Sequence, residues 1–389
     1  MYGRPMTPPA PTQPGAGTGS AQSPSQPEER APGAEAFGPG DGIDHGARVV
    51  SPLIHSTTVD LGAHVLAAVP LPAGDTVAVA LGDGRLLFPS LHDGAAEADP
   101  LELSAMALSV AGDPHGGRVL IGTEDGRLLA VQPEAEPSVL ADTDAGWIEA
   151  LAVDATGGRI AFAQGRTVQL LDADGGDLGL FRDHPSTVTG LAFSPTGGAL
   201  AAAHYGGVSV YALDDGERRQ LRWHGSHIAV RWSPDGRFIA TAMQDRELHC
   251  WPADGSSNGV RMAGYPTKVR DLAFTPNGAF LAAAGADTVT AWDCRGKGPG
   301  GKPPLEVGYV FDALVTRVAP RPGGQELAAG YDDGTVLIGG IESGHCTIAC
   351  AGGGAPVSAL AWTPDGTRLV AGTEDGTFAV LTPERAAQA

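Results

Sequence analysis

The sequence predicts an all-β chain folded as a single β-propeller of eight four-stranded blades, with seven as the runner-up. Three observations carry that expectation: a glycine-marked turn recurs eight times, short apolar β-runs fill each copy, and tight Asp-Gly turns punctuate the runs. The marker glycines are Gly74, Gly116, Gly157, Gly197, Gly236, Gly278, Gly324 and Gly366, spaced 39 to 46 residues apart. A period near 42 residues with four β-runs per copy is the length of one blade.

The elements follow in chain order. Residues 1–46 are rich in Pro, Gly, Ala, Ser and Gln, as in TPPAPTQPGAGTGSAQSPSQPEER. Such a segment buries too little apolar surface to offset its ordering entropy, so a disordered tail is expected over 1–46 and the propeller over 47–389. The runs LAFSP, VRWSP, LAFTP and LAWTP then alternate or pile up apolar residues, as a sheet packed on both faces requires. The Pro-x-Gly turn that follows joins a fixed φ to a residue tolerant of positive φ, and the chain reverses within a few residues. A second turn, Asp-Gly at Asp83, Asp125, Asp333 and Asp375, is a strong hairpin signal.

One blade cannot hide two apolar faces, so neighbours must cover one another and the ring must close. The last copy ends on its third strand, TFAVLTP. The stretch from His55 to Leu61 (HSTTVDL) is the candidate for the missing fourth, which would remove the free edge.

Composition limits the partners. Lys and Arg number 25 against 45 acids, a formal charge of −20, so no basic face for nucleic acid or an anionic membrane is expected. No apolar segment has the length of a secretory signal or a bilayer span, which makes a cytoplasmic location the expectation. Scarce Lys beside abundant Arg, Ala and Gly points to a GC-rich bacterial genome. Cys250, Cys294, Cys346 and Cys350 read as small buried hydrophobes, since four cysteines in 389 residues are too few for a disulfide framework. His345-Cys346…Cys350 lacks the second ligand pair of a zinc site.

From Val49 to Thr382 the copies resemble the WD-repeat family. The likeness is closest at AVRWSPDGRFIATAMQDRELHCW, DLAFTPNGAFLAAAGADTVTAWD and ALAWTPDGTRLVAGTEDGTFAVL. It implies a hydrogen-bonded network of His, Ser/Thr, Asp and Trp inside a blade. The fifth copy alone carries all four types, as His224, Thr241, Asp245 and Trp251. The fourth keeps His184 and the sixth Trp292-Asp293, while Leu381, Val131 and Tyr211 fill the Trp slot elsewhere. The network is expected to be structural, because buried polar groups must satisfy one another and no nucleophile stands beside them.

Two motifs are read as surface features. Gly296 to Lys302 (GKGPGGK) imitates a phosphate loop, but Pro303 stands where a Ser or Thr is needed and no helical pattern follows, so an insertion is expected. Glu124-Asp125, Asp332-Asp333, Glu374-Asp375 and Asp83 form an acidic arc, read as solvated charge, with binding of a cation or a basic partner as the alternative.

On the opposite arc, Tyr205, Arg222, Trp223, His224 and Tyr265 fall near loops of one face. Aromatic and Arg side chains dominate binding hot spots, which makes Tyr205, Arg222, Trp223 and Tyr265 the candidate partner-binding residues. The resemblance implies a non-catalytic scaffold for protein or peptide partners; the residues themselves lead to the expectation of a monomeric propeller with no catalytic residue, metal or cofactor. The alternative is an eight-bladed enzyme or small-ligand binder with its site in the central channel, which needs convergent ligands.

Overall fold

The computed structural model describes residues 50–384 except 52, 92–98, 115, 145, 157, 310 and 311. The expected tail and the marker Gly157 lie outside the described residues. Among these residues the chain forms thirty β-strands and no helix.

The strands assemble into seven antiparallel sheets, six of four strands and one of six. Six sheets follow chain order: 65–102, 107–142, 150–181, 190–263, 272–307 and 315–350. The seventh joins 357–383 to Ile54–Asp60. Counting a blade as one hydrogen-bonded sheet, the ring has seven blades, and the expectation of eight is corrected. The physical reason is local. The fourth and fifth repeats share the six-stranded sheet, because Arg218–Trp232 runs on from the outer strand of one into the inner strand of the next. Its first half pairs with Ala199–Ala212 and its second with Phe238–Met243. A glycine-marked turn counts repeats, and two repeats here lack the break in pairing that separates sheets.

Ile54–Asp60 pairs antiparallel along its whole length with Thr377–Pro383, from Ile54 opposite Pro383 to Asp60 opposite Thr377. The strand begins one residue earlier than the sequence reading placed it. It covers the edge that the final repeat would otherwise expose, and Val65–Pro70 packs on Val357–Trp362 to close the ring.

The turns show why glycine recurs: Gly74, Gly197, Gly236, Gly278 and Gly366 take positive φ, and in the second and seventh repeats Gly117 and Gly323 do so in place of the marker glycines Gly116 and Gly324. At Ser233-Pro-Asp-Gly236, Gly236 N–H donates to the Ser233 carbonyl and Gly236 takes φ +72°. Ser233 Oγ donates to Asp235 Oδ1 at 2.6 Å, and Thr363 does the same to Asp365 at 2.6 Å. Proline presets the bend, the carboxylate braces it, and glycine accepts the left-handed residue.

Adjacent sheets are tied by a device that the repeat pattern does not advertise. A hydroxyl near the start of one inner strand donates to a carbonyl near the start of the next. Ser109 bonds Ile148 O at 2.7 Å, Thr316 bonds Val357 O at 2.7 Å, and Ser358 bonds Val65 O at 2.7 Å across the closing seam. Beside these bonds lie Gly122, Gly330 and Gly372. A Cβ at Gly330 would meet Val357 Cγ1 at 2.5 Å, and one at Gly372 would meet Val65 Cγ1 at 2.4 Å. Close sheet-to-sheet approach therefore depends on the missing side chain. Alanine serves the same end in neighbouring strands, where Ala240, Ala242, Ala282 and Ala283 are fully buried.

Candidate functional site

The candidate residues divide into an exposed pair and two side chains turned inward. Tyr205 and Gly206 form the tip of the hairpin within Ala199–Ala212, so the ring of Tyr205 stands 60% exposed. Arg222 lies opposite Gly207 on the paired strand, and both line a groove of about 550 Å³ with Pro185, His204, Arg218 and Gln220. Trp223 is half-buried and stacks on His249 at a centroid distance of 4.1 Å. Tyr265 is buried in the core between the fifth repeat and the next, and its hydroxyl accepts from Trp292 Nε1 at 2.8 Å. The structure thus brings Tyr205 and Arg222 together and places Tyr265 elsewhere.

Three groove residues, Arg218, Gln220 and Arg222, alternate along one strand and so share a face. Arg218 is anchored: its guanidinium lies 5.5 Å from the Tyr211 ring centroid and donates to Ser209 Oγ at 3.1 Å. With its amide oxygen turned toward the guanidinium, Gln220 accepts from Arg218 Nη2 at 2.6 Å. The Arg222 side chain makes no hydrogen bond or ion pair with a described residue. Among the described residues neither arginine forms an ion pair with a carboxylate, whereas Arg85, Arg118, Arg127, Arg159 and Arg237 each do.

Below the groove lies a layer of buried histidines. His184 accepts from the Tyr211 hydroxyl at 2.8 Å, and His204 meets Ser209 Oγ at 2.9 Å. His227 meets Thr241 Oγ1 at 2.8 Å. The network assigned to His224, Thr241, Asp245 and Trp251 therefore has a different membership. His224 is exposed, Thr241 takes His227 as its partner, and Trp251 Nε1 has no hydrogen-bond partner among the described residues. The long strand carries its histidine three residues beyond the expected loop position, a shift that motif spacing could not register. Trp147, 63% exposed on a connection, also escaped the sequence reading; an aromatic inside the polar run TDAGWIE was its only signal.

Burial pushes the His227 and His249 imidazoles down to about 4 from an ordinary 6.5. Burial lowers His184 and His204 as well, and the neighbouring Arg218 adds to this. A histidine depressed in the folded state binds its proton more readily when unfolded. Its stabilising contribution is complete above pH 6.5 and lost as pH falls through 4. Asp125, Asp235, Asp365 and Asp375 are all held below the usual 3.8, so their losses come at lower pH. The melting temperature should fall steadily from pH 6.5 to pH 4; a flat profile over that window would contradict the buried neutral state.

The remaining motifs resolve as braces. Lys302 of the glycine-rich loop pairs with Asp293 at 3.3 Å, and a Cβ on Gly298 would strike the Phe238 ring at 2.8 Å. In the acidic arc, Asp83 and Asp125 are bound by Arg85 and Arg127, and Asp375 accepts from Thr373. The cysteines are free thiols, Cys250 and Cys294 buried; burial pushes Cys294 up to about 12 and Cys350 up to about 11. Among the described residues no three His, Cys, Asp or Glu side chains are grouped to hold a metal ion.

The family model for the WD domain, G-beta repeat, matches residues 175–211, 217–252, 259–293 and 344–380. These are four of the repeats whose strands and turns are described above. The chain is a WD-repeat β-propeller. Two of the WD-repeat matches, 175–211 and 217–252, meet at the groove, with Arg218 and Arg222 in the second. This WD-repeat chain is 28% identical over 205 residues to telomerase protein component 1 of Rattus norvegicus, covering 51% of the chain and 8% of that protein. It is 30% identical over 172 residues to the small ribosomal subunit protein RACK1y of Oryza sativa subsp. japonica, covering 42% and 51%. The chain thus spans at most about half the length of these curated relatives. Among solved structures, the computationally designed Ika8 protein superposes with a TM-score of 0.68 at 18% identity. The match covers 84% of this chain and 98% of that one, a likeness of fold.

Proposed function

We propose that this WD-repeat propeller is a non-catalytic scaffold that docks a protein or peptide partner at the exposed groove of its fourth repeat. The observation that carries this reading is the pairing of exposed Tyr205 with an Arg222 that has no partner among the described residues, in a chain of net charge −20. An aromatic ring beside a free guanidinium offers large contact area with a directional polar handle. The named relatives, a telomerase protein component and a small ribosomal subunit protein, belong by name to larger assemblies, which supports the same reading.

The test is affinity capture from host extract with the full chain as bait. Tyr205→Ala combined with Arg222→Ala should reduce the specifically retained proteins at least about fivefold, by loss of a hot-spot pair. Tyr265→Phe, which touches only a buried hydroxyl, should retain them. Equal retention by the double variant and the parent would overturn the assignment of this groove.

A further inference from the structure

The outer strands of the sheets differ sharply in charge. Leu101–Glu102, Ser138–Asp142, Asp177–Phe181, Leu305–Val307 and Ile54–Asp60 each carry a carboxylate and no Lys or Arg. Cys346–Cys350 carries no charge, and the single arginine of Val260–Ala263, Arg261, is bound to Glu247. The first half of Arg218–Trp232 reads RRQLR. Arg219, on the other face, is held by the Ala253 carbonyl. Arg218, Gln220 and Arg222 remain on the groove side.

That half-strand pairs only with Ala199–Ala212, so its second edge carries no partner strand among the described residues. An unpaired edge is a template for an added strand, and the side chains beside it set which strand is accepted. A strand advances about 3.3 Å per residue, which places Arg218 and Arg222 roughly 13 Å apart along it.

Building on the scaffold reading, we propose that the ligand of this groove is an extended acidic peptide segment of a partner protein. It adds along the Arg218–Arg222 edge with carboxylates four residues apart facing the two guanidiniums. Main-chain bonds supply the affinity common to any strand addition, and the arginines supply the selection. Acidic segments are repelled at the carboxylate-bearing outer edges; of the remaining three, one is uncharged, one has its arginine bound to Glu247, and this edge presents two arginines without an ion pair among the described residues. Gln220 lies between the arginines along the strand, and Arg218 is steadied by Ser209 Oγ and the Tyr211 ring.

The test uses the full chain and fluorescent peptides of alternating Thr and Val, carrying two Glu residues four apart, three apart, or replaced by Gln. The four-apart peptide should bind, and the Gln peptide at least about tenfold more weakly, because charge-assisted bonds are lost. The three-apart peptide, with its acids on opposite faces, should resemble a single-Glu peptide. Arg222→Glu should abolish binding of the four-apart peptide with an unchanged melting temperature, since this side chain has no partner among the described residues, and binding should weaken in high salt. Equal affinity for the Glu and Gln peptides, or no effect of Arg222→Glu, overturns the proposal, as does failure of the four-apart peptide to bind. If no acidic peptide binds while Tyr205→Ala with Arg222→Ala still strips partners in affinity capture, the ligand chemistry is wrong and the docking site stands. If both fail, the groove is not the docking site.

Discussion

Removal of residues 1–64 is expected to abolish the soluble folded state, whereas removal of residues 1–46 should leave the melting temperature unchanged. The longer deletion takes away Ile54–Asp60, all seven of whose residues pair with Thr377–Pro383. It also removes the ties at Ser51 N to Ile348 O and Leu61 N to Gly376 O. What remains is an open edge on Thr377–Pro383, whose residues Phe378, Ala379, Val380 and Leu381 are buried in the intact ring. An apolar unpaired strand associates with its own kind. Size-exclusion chromatography should show aggregates for the longer deletion and a single symmetric peak for the shorter one. Identical melts of the two variants would end this account of ring closure.

Gly372→Ala should destabilise the protein by about 3 kcal/mol, the upper part of the range for overpacking a tight core. The new methyl would stand 2.4 Å from Val65 Cγ1 and 2.6 Å from Val65 Cβ, and Ser358 fixes the same seam through its bond to Val65 O. Neither strand can retreat without breaking the ladder behind it. Gly354→Ala is the matched control, because nothing lies within 4 Å of a Cβ at that position. Thermal melts should show a drop of several degrees for Gly372→Ala and none for Gly354→Ala. Adding Val65→Ala should recover part of the loss, since the two side chains then share the space. Equal stability of Gly372→Ala and the parent would show that the seam has slack.

The parts legible in the sequence were those written in local chemistry. Pro-x-Gly and Asp-Gly turns announce themselves because bend geometry restricts residue choice, and the closing strand was visible because the last repeat is one strand short. The sheet count was not legible. Whether pairing breaks between Arg222 and His227 depends on the hydrogen bonds of a continuous strand, and no residue type marks that. Tyr205 and Arg222 were singled out through residue type and loop position, and both line one groove. Tyr265 sat at an equivalent loop position, yet its ring turned inward to meet Trp292, a choice made by packing across repeats. His227 displaced His224 for a related reason: a β-strand sends alternate residues to opposite faces, and a three-residue offset changes which ring reaches Thr241.

The bond from Ser358 to Val65 joins residues 293 positions apart in the chain. A nascent chain leaving the ribosome therefore holds Ile54–Asp60 without its mate until Thr377–Pro383 has been made. Through that interval the early sheets stack as an unclosed arc whose two ends invite wrong neighbours. Faster elongation, or a chaperone occupying the waiting strand, would shorten or shield the exposed interval without altering the finished ring.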